Sequence, residues 1–308
     1  MPADFSARRW ERARRRVVAS AFLRVPFYRD QWAAAGRALD EPEPTPSAAL
    51  PGQLHRLCPF ARPFDPSREP SPWIGDGRDL RDALAVAGAP RRAPVLEVRP
   101  AILDRRTLAG GALPWGDVLP WGDALSWGGG RPYGVLLAPE ARVVDEARRR
   151  ALDAAALGLA AEAGRAIVVG ERAALDAVLP RLEGVRVHAV QRVSLGQAVR
   201  TAQGAAAVGI AGGVAGAPVG DPAGVGAVVA HDPHLGYLAA VAPGCGRVHL
   251  LWRHLHARPF AGPGGPAVAF TALRRRRPVL VDVVPDDAGT LTTALCPEHG
   301  TPVVTSPA

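Results

Sequence analysis

Between residues 8 and 23 the apolar positions recur at helical spacing. Trp10, Val17, Val18, Phe22 and Leu23 carry the apolar side, and arginines fill the rest. This predicts a basic amphipathic helix. Val25-Pro26 ends it, because proline biases the preceding residue away from helix. Residues 27–35 predict a second short helix. Residues 39–72 are proline-rich and read as an irregular connector draped over a core.

Further on, the periodicity switches back and forth. Residues 93–98 and 133–137 read as short strands. Residues 139–163 read as a long helix, 165–170 as a strand, 171–182 as a helix, 185–190 as a strand, 195–203 as a helix and 205–211 as a strand. Alternation of this kind predicts a parallel sheet covered by helices. From residue 225 the helical periods fade, and 225–230, 237–242, 247–252, 267–273 and 278–284 all look strand-like. The expected fold class is therefore α/β: a helix-covered, mostly parallel sheet followed by a β-rich C-terminal subdomain. The expected divisions are 1–92 (helical leader and connector), 93–230 (α/β core) and 231–308 (β-rich part).

Hydrophobic content of 48% and charged content of 21% suit a soluble globular chain. No apolar run reaches membrane-spanning length. The nearest, residues 204–220, is Gly/Ala-rich and interrupted by Pro218. No signal-peptide-like apolar stretch follows the first arginines, and three cysteines give no disulfide framework. The expectation is a cytoplasmic protein without a membrane partner.

The charge is unusual in kind. All 37 basic residues are arginine, against 29 acidic ones, and the formal charge is +8. With no lysine, Schiff-base chemistry and a phosphate-loop lysine are excluded. A basic chain permits nucleic-acid binding, but the arginines are dispersed and aromatics are only 6%. No nucleic-acid partner is expected. The tight run Arg274 to Arg277 suits a solvated face or an anionic small molecule.

Three local patterns carry candidate chemistry. Pro114-Trp115-Gly116-Asp117 recurs as Pro120-Trp121-Gly122-Asp123 and is echoed by Ser126-Trp127-Gly128-Gly129. This is far below the roughly 20–50-residue unit of a solenoid, so it reads as a loop region. Ser126 stands in a loosened nucleophile elbow, but the glycines and proline after it oppose the helix an elbow needs. Six of the eight histidines fall between His231 and His299. His254 and His256 alternate with Trp252, which would place them together on a pocket wall or on a solvated sheet face. Cys245 with His249 (C-x3-H) and Cys296 with His299 (C-x2-H) form two candidate ligand pairs. Four such ligands suit tetrahedral Zn²⁺, and a closed set of four would make the metal structural. The other reading is two thiols and two surface histidines that never meet.

Several segments resemble the phenylacetate–CoA ligase-like branch of the adenylate-forming (AMP-binding) enzymes. Val25-Pro26-Phe27-Tyr28-Arg29 with Ala34-Ala35-Gly36 resembles that branch's leader. Ser126-Trp127-Gly128-Gly129-Gly130-Arg131-Pro132 stands where its phosphate loop would be. Gly246-Arg247-Val248-His249-Leu250 resembles its "GRLHV" strand, and Thr271-Ala272-Leu273-Arg274-Arg275 with Pro278-Val279-Leu280 resembles its "TxLxRxxxPxI" segment. Asp286 then falls on the Asp of "YRTGD".

The resemblance implies a nucleotide site made of Ser126, Gly128, Gly129, Gly130, Arg131 and Asp286, with Ser126 and His234 as candidate catalytic residues. It also implies ATP/AMP and Mg²⁺ as cofactors if ligase activity is retained, and a structural zinc like that of some relatives. The sequence departs from the pattern in specific places. The loop lacks both threonines. His234 stands where an acidic residue would hold Mg²⁺, a cation that prefers oxygen. Asp232 is acidic but shifted. Few residues follow Asp286, so the expectation is that the lid domain is absent, and there is no lysine to serve in one.

Three functions follow as expectations. The first is a degenerate member no longer competent for ATP-dependent carboxylate activation alone. It would serve as a binding, accessory or repurposed protein in a bacterial small-molecule pathway, with a carboxylate, a nucleotide or another protein as partner. The second is a working acyl- or aryl-adenylate ligase whose lid comes from elsewhere. The third is an unrelated enzyme that uses the histidine-rich end.

Overall fold

A computed structural model describes residues 5–63, 77–101, 132–142, 146–207, 226–262 and 264–307. Helix α1 (Ala7–Arg24) starts at Ser6, whose hydroxyl accepts from Arg9 N, and ends at extended Val25. Pro26 occupies the first turn of α2 (Pro26–Ala34), where a missing N–H costs nothing. The connector that follows holds β1 (Thr45–Pro46) and two 3₁₀ turns. Next come α3 (Gly77–Val86), β2 (Val95–Ala101), β3 (Tyr133–Arg142), α4 (Glu146–Ala163), β4 (Arg165–Gly170) and α5 (Arg172–Val178). They are followed by β5 (Arg186–Val193), α6 (Leu195–Ala207), β6 (Ala227–Asp232) and β7 (Gly236–Val241). The rest is strand: β8 (Val248–Leu250), β9 (Leu255–Gly262), β10 (Gly265–Ala272), β11 (Val283–Val284), β12 (Thr292–Leu295) and β13 (Pro302–Thr305).

Among the described residues these strands make two sheets. The larger runs β12-β13-β8-β7-β6-β5-β4-β2-β3, and the smaller β1-β11-β10-β9. The α/β class holds, but "mostly parallel" does not. Strands β3, β2, β4, β5 and β6 pair in parallel, whereas β6, β7, β8, β13 and β12 pair antiparallel. The reason is connection length. Parallel strands need a crossover, here α4 between β3 and β4, α5 between β4 and β5 and α6 between β5 and β6. The short turns after β6, β7 and β12 instead give hairpins, and β13 joins β8 antiparallel from a distant part of the chain. The antiparallel strands extend the same sheet.

Several boundaries also differ. Residues 139–142 stay in strand β3, because Leu136, Leu137, Ala138 and Ala141 are buried in its core. Residues 205–207 remain helical, and 208–211 lie outside the described residues. Within 278–284 only Val283 and Val284 are strand.

Buried residues form three apolar clusters. One packs α1, α2 and α6 onto the smaller sheet and the adjoining strands β6 to β8. One packs α3 against one face of the parallel strands, and one packs α4 and α5 against the other. A buried charge network stitches α1 to the smaller sheet. Arg14, 1% exposed, donates to Asp282 (Nη2–Oδ2 2.9 Å) and to Glu41 (2.8 Å). Arg258 and Thr271 complete the shell of Asp282, at 2.7 and 3.0 Å.

Candidate functional site

Two hairpin turns at one end of the larger sheet carry the cysteine–histidine pairs. Strands β7 and β8 are joined through Cys245, and β12 and β13 through Cys296 to His299. Both turns bend at glycines with left-handed backbone, Gly246 (φ +65°) and Gly300 (φ +62°), which side-chain-bearing residues rarely adopt. Strand β13 pairs with β8 in the register Val303↔His249, and that pairing brings the two turns together. The candidate ligand atoms of Cys245, His249, Cys296 and His299 all lie within 4.8 Å of one another. Cys245 Sγ is 3.0 Å from His249 Nε2, and Cys296 Sγ is 3.4 Å from His299 Nδ1.

These spacings are near those of a tetrahedral soft-ligand site, the widest being longer than its corners require. Bonds of about 2.3 Å to sulfur and 2.0 Å to nitrogen put tetrahedral corners about 3.3–3.8 Å apart. His249 and Cys296 are buried, Cys245 is half-buried and His299 is exposed, so the cluster sits just under the surface. His249 Nδ1 lies 2.9 Å from Thr301 Oγ1, and in the tautomer that carries its proton on Nδ1 the Nε2 lone pair faces the thiols. Burial, with His299 and Arg247 nearby, lowers the His249 pKa to about 4, so its ring is neutral, as a ligand must be. Burial pushes the Cys245 thiol up. For Cys296, burial acts the same way, but the hydrogen bond from His299 and backbone N–H groups outweigh it and lower the thiol. The cluster can hold a metal ion. Thr301 carries no signal of its own in the sequence and was missed.

Asp286, assigned to a ribose by resemblance, is exposed, accepts from Ala48 N (3.1 Å) and lies 3.2 Å from Ser47 Oγ, whose single proton it shares with Asp232. Asp232 is buried and accepts from the same Ser47 Oγ (2.8 Å) and from the backbone N of His234 and Leu235, both at 2.8 Å. Arg275 donates to the carbonyls of His234 (3.2 Å) and Leu235 (2.9 Å). The segment around 231–236, Arg275 and Asp286 therefore do gather, around a serine that the proline-rich connector hides in the sequence. His234 contributes backbone contacts to this corner. Ser126, Gly128, Gly129, Gly130 and Arg131 lie outside the described residues, as does the Trp–Gly repeat.

No protein-family model matches the chain, and no curated protein matches it in sequence.

His254 and His256 are both buried, which overturns the solvated-face reading, and they engage different partners. His254 is clamped between Asp79 (Nδ1–Oδ1 3.0 Å) and Asp82 (Nε2–Oδ2 2.6 Å) of α3. Burial disfavours its charge, but the two carboxylates outweigh burial and raise its pKa to about 9. His256 faces Glu11 at 3.0 Å and lies against Trp10, with ring centroids 4.1 Å apart. Among the described residues no helix is long and apolar enough to cross a membrane.

Proposed function

We propose that this chain is a binding or accessory protein built on a reduced adenylate-forming-type framework, not competent alone for ATP-dependent carboxylate activation. Its C-terminal hairpins are held by a structural Zn²⁺. One observation carries the reading: Asp232, the acid nearest the metal role, is buried and accepts from Ser47 Oγ and two backbone N–H groups, and Asp286, nearest the ribose role, is tethered to Ala48 N and beside the same hydroxyl. A carboxylate that already accepts two or three hydrogen bonds inside the fold gains little by turning to a cation or a diol. Zinc is favoured at the other corner by chemistry. Two sulfurs and two imidazoles suit a borderline-soft tetrahedral ion and suit Mg²⁺ poorly. Four protein ligands leave no open position for substrate, which makes the ion structural.

Titration with ATP·Mg²⁺ and carboxylate-dependent pyrophosphate exchange test the first half. The expected result is no saturable heat and no exchange. An exchange signal lost on Asp286→Ala would overturn it in favour of a working ligase.

A further inference from the structure

The parallel half of the larger sheet reverses its winding between β2 and β4. From β2 the chain goes to β3 on one side, returns through α4 to β4 on the other, and continues outward through β5 and β6. In open α/β sheets, ligands sit in the crevice outside the carboxyl ends of the strands at such a reversal. Here that place holds an ionic cluster used by neither site above. Glu97 is the third and Arg99 the fifth of the seven residues of β2, Arg192 lies near the end of β5, and Glu171 directly after β4.

Among the described residues the cluster has more charged donors than carboxylates, although Arg192 Nη2 also donates to the carbonyl of Val98 (3.0 Å). Glu97, 2% exposed, receives Arg99 Nε (3.0 Å) and Nη2 (2.8 Å), the hydroxyl of Tyr133, Arg192 Nη1 (3.4 Å) and the hydroxyl of Tyr237 (2.6 Å). Those are five donors on a group with about four lone-pair sites. Burial opposes its charge, but the two guanidiniums and two hydroxyls hold Glu97 ionised, with a pKa near 2. Two guanidiniums therefore face one buried carboxylate. The next acid, Glu171, is 66% exposed and 3.7 Å from Arg192, too wet to compensate fully. Arg99 is the open side of the cluster, with a side chain 27% exposed. Its Nη1 makes no hydrogen bond among the described residues. Two guanidiniums beside one buried carboxylate, with a free N–H edge on the open side, favour an anion there over bulk water alone.

We propose that Arg99 and Arg192 form a binding site for a small oxyanion, the carboxylate or phosphate group of a small molecule, at the carboxyl ends of β2 and β5. Arginine's planar fork grips either group through paired N–H donors. The site stands independently of the zinc corner and of the reading of Asp286.

Calorimetric titration of the full chain with inorganic phosphate, and separately with benzoate, at constant ionic strength in chloride tests it. Saturable one-to-one binding is expected in one arm, and that arm identifies which oxyanion the site takes. Arg99→Gln should weaken binding about tenfold or more, the scale of a lost charge-assisted hydrogen-bond pair. Arg12→Ala with Arg16→Ala, on the exposed face of α1, should leave it unchanged. If Arg99→Gln fails to fold, Glu171→Gln gives the second reading. Removing that exposed acid should tighten binding about threefold. Absence of saturation in both arms overturns the proposal. So do equal affinity in wild type and Arg99→Gln, loss of binding with the α1 variant, and no tightening in Glu171→Gln.

Discussion

Two corners of the molecule gather the residues that carry candidate chemistry, and they differ in what those residues have left to give. At the hairpin end, Cys245, His249, Cys296 and His299 turn four ligand atoms toward one point, and Thr301 orients one of them from behind. At the connector end, Asp232 and Asp286 also converge, but on Ser47 and on backbone N–H groups. Proximity is the same in both. At the first the atoms are two thiols and two imidazoles, soft ligands in contact with one another, whereas at the second the carboxylates are engaged by the fold's own hydroxyl and N–H groups. That difference separates a metal-binding corner from one that only braces the fold.

The comparison breaks most easily at its strong side. Cys296→Ser removes one of four ligands and should abolish stoichiometric zinc. Because structural zinc sites supply about 10–16 kcal/mol of binding energy, the fall in Tm should be the largest of any substitution considered. Retained zinc with an unchanged Tm would dissolve the contrast.

The next effect comes from His254, whose ring is held charged by acids that are themselves buried or half-buried. Its folded pKa, about 9, lies above the ordinary 6.5. Its stabilisation is therefore complete below pH 6.5 and is lost as pH rises through 9. Full loss amounts to about 3 kcal/mol, at 1.36 kcal/mol per pKa unit. Urea unfolding at pH 6 and pH 9.5 should show that loss in the wild type and not in His254→Gln.

Smaller effects grade the connector corner. Asp232→Ala strands two backbone N–H groups and a hydroxyl, and should cost about 1–3 kcal/mol in urea unfolding. Asp286→Ala removes acceptors near solvent and should cost under about 1 kcal/mol. Neither should change the response to ATP·Mg²⁺, since the account gives both a structural role.

How much of this could be read in the chain depends on the range of the interaction that decides it. Helix α1, strand β4 and the start of α6 were legible, because local periodicity, Pro26 and a continuous apolar run determine them. Helix α3 was missed, as were strands β12 and β13, which are four residues each and carry no apolar alternation. The spacing of each cysteine–histidine pair was legible, but their meeting depends on β8 pairing with β13, a contact that no local pattern encodes. Arg14 looked like one more surface arginine. Its burial follows from Asp282, a residue 268 positions away with an unusual φ of +49°. Ser47 was hidden for a similar reason, since it lies among prolines and gains meaning only from two distant acids.

Metal analysis of the chain purified without chelator tests the central contrast most directly. The account predicts about one zinc per chain, lost in Cys296→Ser and kept in Asp286→Ala. Less than about half an equivalent in the wild type would contradict it, because a closed four-ligand site at these affinities does not release its metal during purification.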